Sequence, residues 1–520
     1  MNVVLIVCDQ LSAAALPCCG NTVVKAPAIA RLAEEGTVCR SAYCAFPLCS
    51  PSRAAMLTGR LPSRMGIYDN GCELAAGVPT LAHFLRAMGY YTCLAGKMHL
   101  LGPDQLHGFE DRLVPELHPT DFSWTSNWDK DGPKLPHERV SRTRKASVRN
   151  VANCGTADWT MQMEHDEEVL FQTLRKLHDL ARGHERRPFF LTVSFVQPHD
   201  PFVAKPEFWQ LYRDGDIDMP RTPLPPPERR DGHTRMICER LHADEHPLSA
   251  REVRAARRAY YAMISDIDAK IGAVLDALNR LYGDDTLVVL TSDHGEMLGE
   301  HGLWAKSFFF EDSARVPLIL RSPRERWVRE VTQNVSLLDL LPTIVEAAGG
   351  AQLLRDFGGA LDGVSLLPLL RGGAGDGARP VFCEHCDGRT DGPRLMVRSG
   401  ACKYVMSLCY EPQMYDLSRD PQELDNLAGR PEYAAEEDRL RALLAEKYGL
   451  GARGLRPMYE ACLARQKANR LITEALGRGR PESWKQGCTD SPADRRFVVT
   501  GDIFPDVDLA SFVNAELIGE

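Results

Sequence analysis

The sequence contains no apolar run of about 18 residues, the length that a membrane-spanning helix needs. It also lacks a basic N-terminal segment followed by an apolar stretch and a cleavage site, because Met1 leads directly into the apolar run Asn2 to Val7. We therefore expect a protein that neither enters a membrane nor is secreted, and that is located in the cytoplasm.

The sequence also lacks a high density of cysteine and an excess of positive charge. The 16 cysteines among 520 residues are too few for a disulfide-linked scaffold, so reduced thiols are expected. The formal net charge of −9 argues against a general nucleic-acid-binding protein. It does not exclude small anionic substrates, which respond to the local field of a site.

Apolar strands alternate with helical segments through the first 370 residues, as in α/β proteins. Three apolar runs, Val3 to Val7, Phe189 to Phe195 and Leu287 to Leu290, predict strands buried on both faces. Ser249 begins a capping-box pattern, and apolar residues then recur at helical spacing, which predicts a long core helix.

A glycine-rich stretch from Arg371 to Gly377 predicts a boundary in the chain. We expect an α/β catalytic domain over residues 1–372, followed by a β-rich unit over residues 378–450. Residues 451–520 are expected to form a helical, partly irregular tail.

Residues that can bind a metal or move a proton follow each of the three predicted strands. Asp9 follows the first, His199 and Asp200 follow the second, and Asp293 and His294 follow the third. Open α/β sheets bind ligands at the carboxyl ends of their strands. An Asp after a strand is commonly a helix N-cap, but three such positions in one sheet favour a shared site.

The segment Cys49 to Arg60 predicts a turn that opens a helix. Cys49 then lies near the helix N-terminus, and Arg53 lies one turn further on. Together they would stabilise an anion, either a thiolate or a bound oxyanion. A capped helix with a buried cysteine explains the same residues equally well.

The order of motifs along the chain resembles the type I sulfatase family. Cys49 to Arg53 match the C-x-P-x-R pattern of these enzymes. The resemblance extends from Asn2 to about Leu427, and its further matches are Gly96 to His99, Gln197 to Asp200, Ser292 to Gly295, Gly302 to Lys306, Arg315 to Leu318 and Tyr415 to Leu427. Within the family, Asp9-Gln10 and the run from Lys97 to Glu110 resemble the choline-sulfatase subgroup.

The resemblance implies the alkaline-phosphatase-like α/β fold, in which helices flank a large mixed sheet. A smaller C-terminal antiparallel sheet and a helical tail would complete it. In the subgroup such a tail packs against a neighbouring subunit and reaches its active site, so a homo-oligomer, dimer or tetramer, is expected.

The resemblance also implies the chemistry. A separate maturation enzyme would oxidise Cys49 to formylglycine, whose hydrate attacks the sulfur of a sulfate monoester. One divalent metal ion, Ca²⁺ or Mn²⁺ with Mg²⁺ as a third option, would assist. Its implied ligands are Asp9, Gln10, Cys49, Asp293 and His294.

The implied catalytic residues are Cys49, Arg53, Lys97, His99, His199 and Lys306. Arg53 and Lys97 would hold the charged diol, and His99 would accept a proton in the elimination step. His199 would protonate the leaving alkoxide, and Lys306 would neutralise sulfate oxygens. Histidine suits both proton transfers because its usual pKa lies near neutrality.

Asn70, Trp124 and His301 are candidate substrate residues. A choline-type substrate needs aromatic faces around its quaternary ammonium, and Trp124 offers one. Five basic residues between 139 and 149 would repel such a cation if they line the pocket, although a solvated loop fits them equally well. A sulfated saccharide or similar polar ester is therefore expected, with choline-O-sulfate close behind.

Two other functions remain open. Phosphonate monoester and phosphodiester hydrolases of the same superfamily share the Asp-Gln pair and the formylglycine pattern. A catalytically inactive, sulfatase-like binding protein is the alternative from a different class, and the intact residue set from Asp9 to Lys306 argues against it.

Overall fold

The computed structural model describes residues 1–117, 122–129, 148–183, 185–322, 324–357 and 361–477. Its strands are β1 (Asn2–Cys8), β2 (Thr37–Tyr43), β3 (Tyr91–Gly96), β4 (Asp111–Val114), β5 (Gly155–Thr156), β6 (Phe189–Phe195), β7 (Val203–Ala204), β8 (Thr286–Ser292), β9 (Arg315–Val316), β10 (Leu318–Arg321), β11 (Glu330–Ser336), β12 (Pro380–His385), β13 (Arg394–Ser399), β14 (Cys402–Ser407) and β15 (Gln413–Asp416).

The α-helices of the described residues vary in length from one turn to 33 residues. They are α1 (Pro27–Glu35), α2 (Cys49–Thr58), α3 (Leu81–Ala87), α4 (Met161–Ala181), α5 (Pro206–Trp209), α6 (Gly232–Arg240), α7 (Ala250–Tyr282), α8 (Glu311–Ala314), α9 (Leu340–Ala347), α10 (Ala351–Asp356), α11 (Leu367–Leu370), α12 (Ala434–Tyr448) and α13 (Arg456–Gly477).

A nine-stranded mixed sheet forms the centre of the molecule, in the order β11-β2-β10-β8-β1-β6-β3-β4, with β9 beside β2. Strands β8, β1, β6, β3 and β4 run parallel to one another. Strand β10 runs antiparallel to β8 and β2. The parallel strands therefore all end at the same edge of the sheet.

The three strands predicted from apolar runs are confirmed as β1, β6 and β8, and all their residues are buried. Alternate side chains of β1 enter different cores: Val4 and Ile6 pack on the side of α7, and Val3 and Leu5 pack on the opposite side. Burial on both faces explains the continuous apolar sequence. The predicted long helix is α7, which Ser249 caps with Glu252.

The predicted C-terminal antiparallel sheet consists of β12, β13, β14 and β15 in that order. Leu395 and Tyr404 of this sheet pack against Leu440 and Leu444 of α12. Helix α13 packs elsewhere in the same chain, where Tyr459 stacks on Trp128 with ring centroids 5.4 Å apart. The first part of the predicted tail is thus built into its own subunit.

Some expectations fall on parts of the chain that are not described. Most of the basic segment 139–149 and residues 478–520 of the tail lie outside the described residues. Within the described ranges, no helix combines the length and apolarity that a membrane crossing requires. The cysteines of those ranges are free thiols, as expected.

Candidate active site

Four neighbouring parallel strands deliver charged side chains to one edge of the central sheet. Asp9 follows β1, Asp293 follows β8, Lys97 follows β3 and His199 comes four residues after β6. Gly96 ends β3 with φ +95°, and an added Cβ would lie 2.1 Å from the carbonyl oxygen of Ser194. Only glycine fits this close approach to β6, which lets the chain turn and bring Lys97 into the site.

Four buried side chains form a group that fits a single cation: Asp9, Cys49, Asp293 and His294. One potential ligand atom from each lies within 4.8 Å of all the others. The Cys49 Sγ is 3.2 Å from Nε2 of His294 and 3.9 Å from Oδ1 of Asp9. Ligands on opposite sides of a divalent cation are separated by about 4–5 Å, so the group fits one ion.

Cys49 is the first residue of helix α2, as the sequence predicts. The preceding Leu48 provides no side-chain cap, and the amide of Ser50 donates instead to Oδ1 of Asn70 at 3.0 Å. Asn70 therefore holds the turn that presents Cys49. The helix N-terminus adds partial positive charge where an oxyanion would form.

Arg53, one helical turn after Cys49, lies between the two carboxylates of the group. Its Nε is 2.8 Å from Asp293, a terminal nitrogen is 3.2 Å from Asp9, and the other donates to the carbonyl of Lys97 at 2.6 Å. The Lys97 ammonium forms an ion pair with Asp9. Two cations therefore balance two carboxylates in a fully buried cluster, as buried charges require.

These neighbours set the protonation states at the site. Burial alone would raise the pKa of Asp9, but the Lys97 ammonium, followed by His199 and Arg53, holds that pKa well below its usual range. Burial also raises the pKa of Asp293, but Arg53, together with His294 and Lys97, lowers that pKa below its usual value. Burial lowers the pKa of His294. Two carboxylates and a neutral imidazole are the states in which these groups bind metal ions.

Gln10 lies beside the metal group and connects two further parts of the site. Its side-chain oxygen accepts a hydrogen bond from the Lys306 ammonium, and its amide nitrogen donates to Asp200 at 3.0 Å and to Glu296. Lys306 also donates to Nε2 of His199. The structure thus brings Gln10, His199 and Lys306 together.

Sequence reasoning did not identify Glu296. Its carboxylate is buried and accepts the amides of Leu298 at 3.0 Å and Ala305 at 2.6 Å, in addition to Gln10. It therefore fixes the turn that carries Lys306. Burial raises its pKa to about 7. Its position two residues after His294 was the signal that could have identified it.

Two loops also carry candidate site residues, Asn70 and Trp124. The imidazole of His99 lies edge-on to Trp124, with ring centroids 6.1 Å apart. Buried Asp69, next to Asn70, accepts the amides of Gly71 and Ser126 at 2.9 and 2.7 Å. These bonds join the loop that carries Asn70 to the loop that carries Trp124.

Helix α13 holds the same two loops, which the sequence did not reveal. Asn469 donates to the carbonyl of Gly71 at 2.8 Å and to the Thr125 hydroxyl at 3.3 Å. The backbone amide of Trp128 donates to the Gln466 side chain at 3.1 Å. Helix α13, which lies 398 residues after Gly71 and 344 residues after Thr125 as measured from Asn469, therefore supports the loops of Asn70 and Trp124.

His301 lies in a different environment from the other candidates. Its ring stacks on Phe310 with centroids 4.1 Å apart, and its amide donates to Thr222. Among the described residues, no hydrogen bond or ring contact joins it to the metal group or to Lys306. Burial lowers its pKa to about 4, which is typical of a structural histidine.

The large mixed sheet with its smaller C-terminal antiparallel sheet is the fold of alkaline-phosphatase-like enzymes. One edge of the large sheet carries the four buried side chains that fit a metal ion. The chain belongs to the sulfatase family, whose model matches residues 1–351. A second model, described as the N-sulphoglucosamine sulphohydrolase C-terminal region, matches residues 299–448. The protein is therefore a hydrolase of sulfuric esters, and the predicted family and fold are confirmed.

Individual relatives agree with this assignment. The chain is 38% identical over 491 residues to a choline-sulfatase of Rhizobium meliloti, covering 93% of both sequences. It is 30% identical to a multifunctional alkaline phosphatase superfamily protein of Trinickia caryophylli, over 84% of this chain and 92% of the relative. The crystal structure of the phosphonate monoester hydrolase of Agrobacterium radiobacter shares the fold, with a TM-score of 0.67, 24% identity, and 87% and 98% of the two chains covered.

Proposed function

We propose that this sulfatase hydrolyses the sulfate monoester of a small polar alcohol, with a formylglycine made from Cys49 and one divalent cation. The observation that supports the proposal is the buried group of Asp9, Cys49, Asp293 and His294, whose ligand atoms lie within 4.8 Å of one another. Oxygen-rich ligands favour Ca²⁺, Mg²⁺ or Mn²⁺, and the single imidazole makes Mn²⁺ acceptable.

The divalent cation and the formylglycine would each supply one part of the chemistry. A divalent cation held there supplies positive charge that favours ionisation of a hydroxyl at position 49 and neutralises a sulfate oxygen. A formylglycine supplies, once hydrated, one hydroxyl that attacks sulfur and a second whose deprotonation releases the sulfate. A serine at position 49 has no second hydroxyl and would remain sulfated.

Arg53 and Lys97 act on the nucleophile side of the site. Both are buried, and both contact the carboxylate of Asp9. In this position they stabilise negative charge at residue 49 as it develops, without reorganisation of solvent. His99 lies two residues after Lys97 and near Trp124. It is the proposed proton acceptor in the step that releases sulfate from residue 49 and regenerates the free enzyme.

His199 and Lys306 act on the leaving-group side. The Nδ1–H of His199 donates to the carbonyl oxygen of Asp200 at 2.6 Å. This bond leaves Nε2 as the ring nitrogen that would face the departing alkoxide. In the structure Nε2 accepts a hydrogen bond from the Lys306 ammonium, so His199 acts as the acid once its ring has taken up a second proton and Lys306 bonds the sulfate instead. Lys306 is then placed to neutralise sulfate oxygens that gain charge as the ester bond breaks.

Choline-O-sulfate is the substrate to test first. The identity of 38% to a choline-sulfatase covers 93% of both chains, and Trp124 offers an aromatic surface for a quaternary ammonium. The basic residues between 139 and 149 instead favour a sulfated saccharide. The two substrates therefore belong in the same assay.

The assay compares sulfate release from choline-O-sulfate, a sulfated monosaccharide and 4-nitrophenyl sulfate, using protein coexpressed with a formylglycine-generating enzyme. Cys49→Ala is expected to abolish all three activities. Cys409→Ala, which changes an exposed cysteine, should leave them unchanged. Sulfate release that survives in Cys49→Ala, or no release by the mature wild type, would reject the proposal; the second result would favour a binding protein.

Phosphonate monoester hydrolysis is a second candidate activity. It is supported by the neutral Gln10 beside the metal group and by a 30% identical relative that is named as multifunctional. Parallel rates on phenyl phosphonate and phenyl sulfate esters decide between the two. A higher kcat/KM on the sulfate ester is expected, and the opposite order would make the chain a phosphonate hydrolase first.

We also propose two protein partners: the maturation enzyme and a second copy of the chain. Residues 478–520 are the proposed intersubunit segment, because residues 456–477 already pack on their own subunit. A chain ending at residue 477 tests this without removing α13. Light scattering should show a smaller oligomer than the full-length chain forms, and an unchanged mass would reject the role of the tail.

A further inference from the structure

Side chains of helix α4 form hydrogen bonds with the turn that carries His199. Asp166 on this helix is fully buried. Its two carboxylate oxygens accept the amides of Val196 and Gln197 at 2.8 and 2.9 Å. These are the first residues after β6, so the carboxylate fixes the path of the chain as it leaves the sheet.

A second side chain of the same helix reaches the other end of the turn. The side-chain amide of Gln162 donates to the carbonyl oxygen of Asp200 at 2.9 Å. The Nδ1–H of His199 donates to the same oxygen at 2.6 Å. Gln162 and Asp166 are four residues apart and therefore lie on one face of α4.

We infer that Gln162 and Asp166 are positioning residues for the sulfatase reaction, and that Gln162 orients the imidazole of His199 through the shared carbonyl oxygen of Asp200. The inference rests on the proposed role of His199 as the proton donor to the leaving alcohol. Neither positioning residue contacts the metal group or Lys306.

The physical reason is that proton donation depends on direction. A ring nitrogen can bond a carbonyl oxygen only by donating its proton, so the bond to Asp200 fixes which nitrogen faces the substrate. If that carbonyl is no longer held by Gln162, the ring can rotate away from the leaving oxygen. Misplacing a catalytic group by about 1 Å can reduce the rate about 100-fold.

The loss should depend on the leaving group. An alkyl alkoxide is a strong base and needs a proton as it departs, whereas 4-nitrophenolate leaves without one. General acid catalysis contributes about 10²–10⁴-fold where it is needed. A defect in positioning His199 therefore appears on alkyl sulfates and is small on activated aryl sulfates, while a general structural defect reduces both rates equally.

The test uses Gln162→Leu in the full-length, mature enzyme. We expect kcat on an alkyl sulfate ester to fall at least about tenfold, and kcat on 4-nitrophenyl sulfate to change less than about twofold. Gln172→Leu is the matched control. Gln172 lies on the same helix and bonds only the exposed Glu168 among its described contacts, so both rates should stay at the wild-type value.

A double variant sharpens the result. Because Gln162 is inferred to act through His199, Gln162→Leu should cause no further loss in a His199→Ala background. Independent, multiplicative losses would overturn the inference. Asp166→Asn provides a second route: it keeps the size of the side chain, loses an acceptor of a backbone amide and should show the same dependence on the leaving group.

The outcomes separate this inference from the proposed function. If wild-type protein releases sulfate from neither substrate, the proposed function fails. If wild type is active and Gln162→Leu lowers both rates by the same factor, the positioning role is overturned while the sulfatase assignment stands. Circular dichroism and melting temperature of each variant confirm that a folded protein is compared.

Discussion

The active site has two sides that differ in how they are built. The metal side, formed by Asp9, Cys49, Asp293 and His294, comes from the ends of parallel strands and the start of one helix, and it is fully buried. The alcohol side, the proposed contact surface for the alcohol of the ester, carries Trp124 and consists of loops that Asp69 joins and Asn469 of α13 supports. The metal side is built from regular secondary structure, whereas the alcohol side is built from loops that pack against a distant helix.

Under the proposed function, this difference predicts that the metal side governs the reaction and the alcohol side governs substrate selectivity. Charges on the metal side neutralise one another with no solvent between them, so removal of one side chain leaves others unpaired in a buried setting. Loops on the alcohol side keep their positions through a few hydrogen bonds, and loops change more easily than the elements they connect. Changes on the metal side should abolish turnover, while changes on the alcohol side should alter which ester is used.

The largest effect is expected at the nucleophile. Cys49→Ser keeps a hydroxyl on the metal side but removes the second hydroxyl needed to release sulfate. We expect steady-state kcat to fall at least about 10⁴-fold on every substrate. Sulfate covalently bound at position 49, detected by mass spectrometry after incubation with substrate, would confirm the reason. Steady turnover by Cys49→Ser would show that the metal side does not work as described.

Removal of the metal should be nearly as severe. Chelation should abolish activity and lower the melting temperature, because an ion that binds only the folded state stabilises it by about 2.7 kcal/mol at 100 times its Kd. Adding Mn²⁺, Ca²⁺ or Mg²⁺ back should restore both properties. Asp293→Asn should eliminate the metal-dependent change in melting temperature. An unchanged melting temperature and rate after chelation would contradict the metal assignment.

A smaller, substrate-dependent effect is expected on the alcohol side. Asn469→Leu removes the hydrogen bonds to Gly71 and Thr125, and two buried acceptors lose a partner at about 1–3 kcal/mol. We expect kcat/KM to fall about tenfold on the physiological ester, mainly through KM, with little change on 4-nitrophenyl sulfate. Lys467→Ala, at an exposed position of the same helix, is the control. An equal fall in kcat/KM on both esters would contradict the proposal that the alcohol side acts on substrate selectivity.

The smallest effect on catalysis is expected at His301. His301→Phe should leave kcat/KM within about twofold of wild type, because the ring stacks on Phe310 and not on the substrate side. A large loss of activity would show that His301 takes part in substrate binding or catalysis.

His301→Phe should instead change how the free energy of unfolding depends on pH. Burial holds the pKa of His301 at about 4, below the usual value near 6.5, so the folded protein binds fewer protons than the unfolded chain between these pH values. Wild type therefore loses stability as the pH falls from 6.5 towards 4, by up to about 3 kcal/mol from this group. His301→Phe should lose correspondingly less in urea denaturation over that range.

The two sides also differ in how well the sequence predicts them. The metal side was predictable because parallel strands end at one edge, so an acid after β1 and another after β8 must lie close together. The sulfatase pattern then identified Cys49 and Arg53. The long helix α7 was predictable for a similar local reason, its cap and its apolar spacing.

The supporting contacts could not be predicted in the same way. Gln162 and Asn469 sit in helices with no sequence pattern that marks them as functional. Their roles depend on the carbonyl groups of Asp200 and Gly71, the latter 398 residues away. Sequence spacing constrains which residues share a face of a helix or strand, but it does not reveal which distant loop packs on that face.

Peptide mass spectrometry of protein coexpressed with a formylglycine-generating enzyme shows whether Cys49 is converted to the aldehyde. The tryptic peptide covering residues 41–53 contains both Cys44 and Cys49, so Cys44 serves as an internal control. We expect an aldehyde, trapped as a hydrazone, that fragment ions place at position 49, with Cys44 still a thiol. An unmodified Cys49 in a preparation that hydrolyses sulfate esters would contradict this expectation.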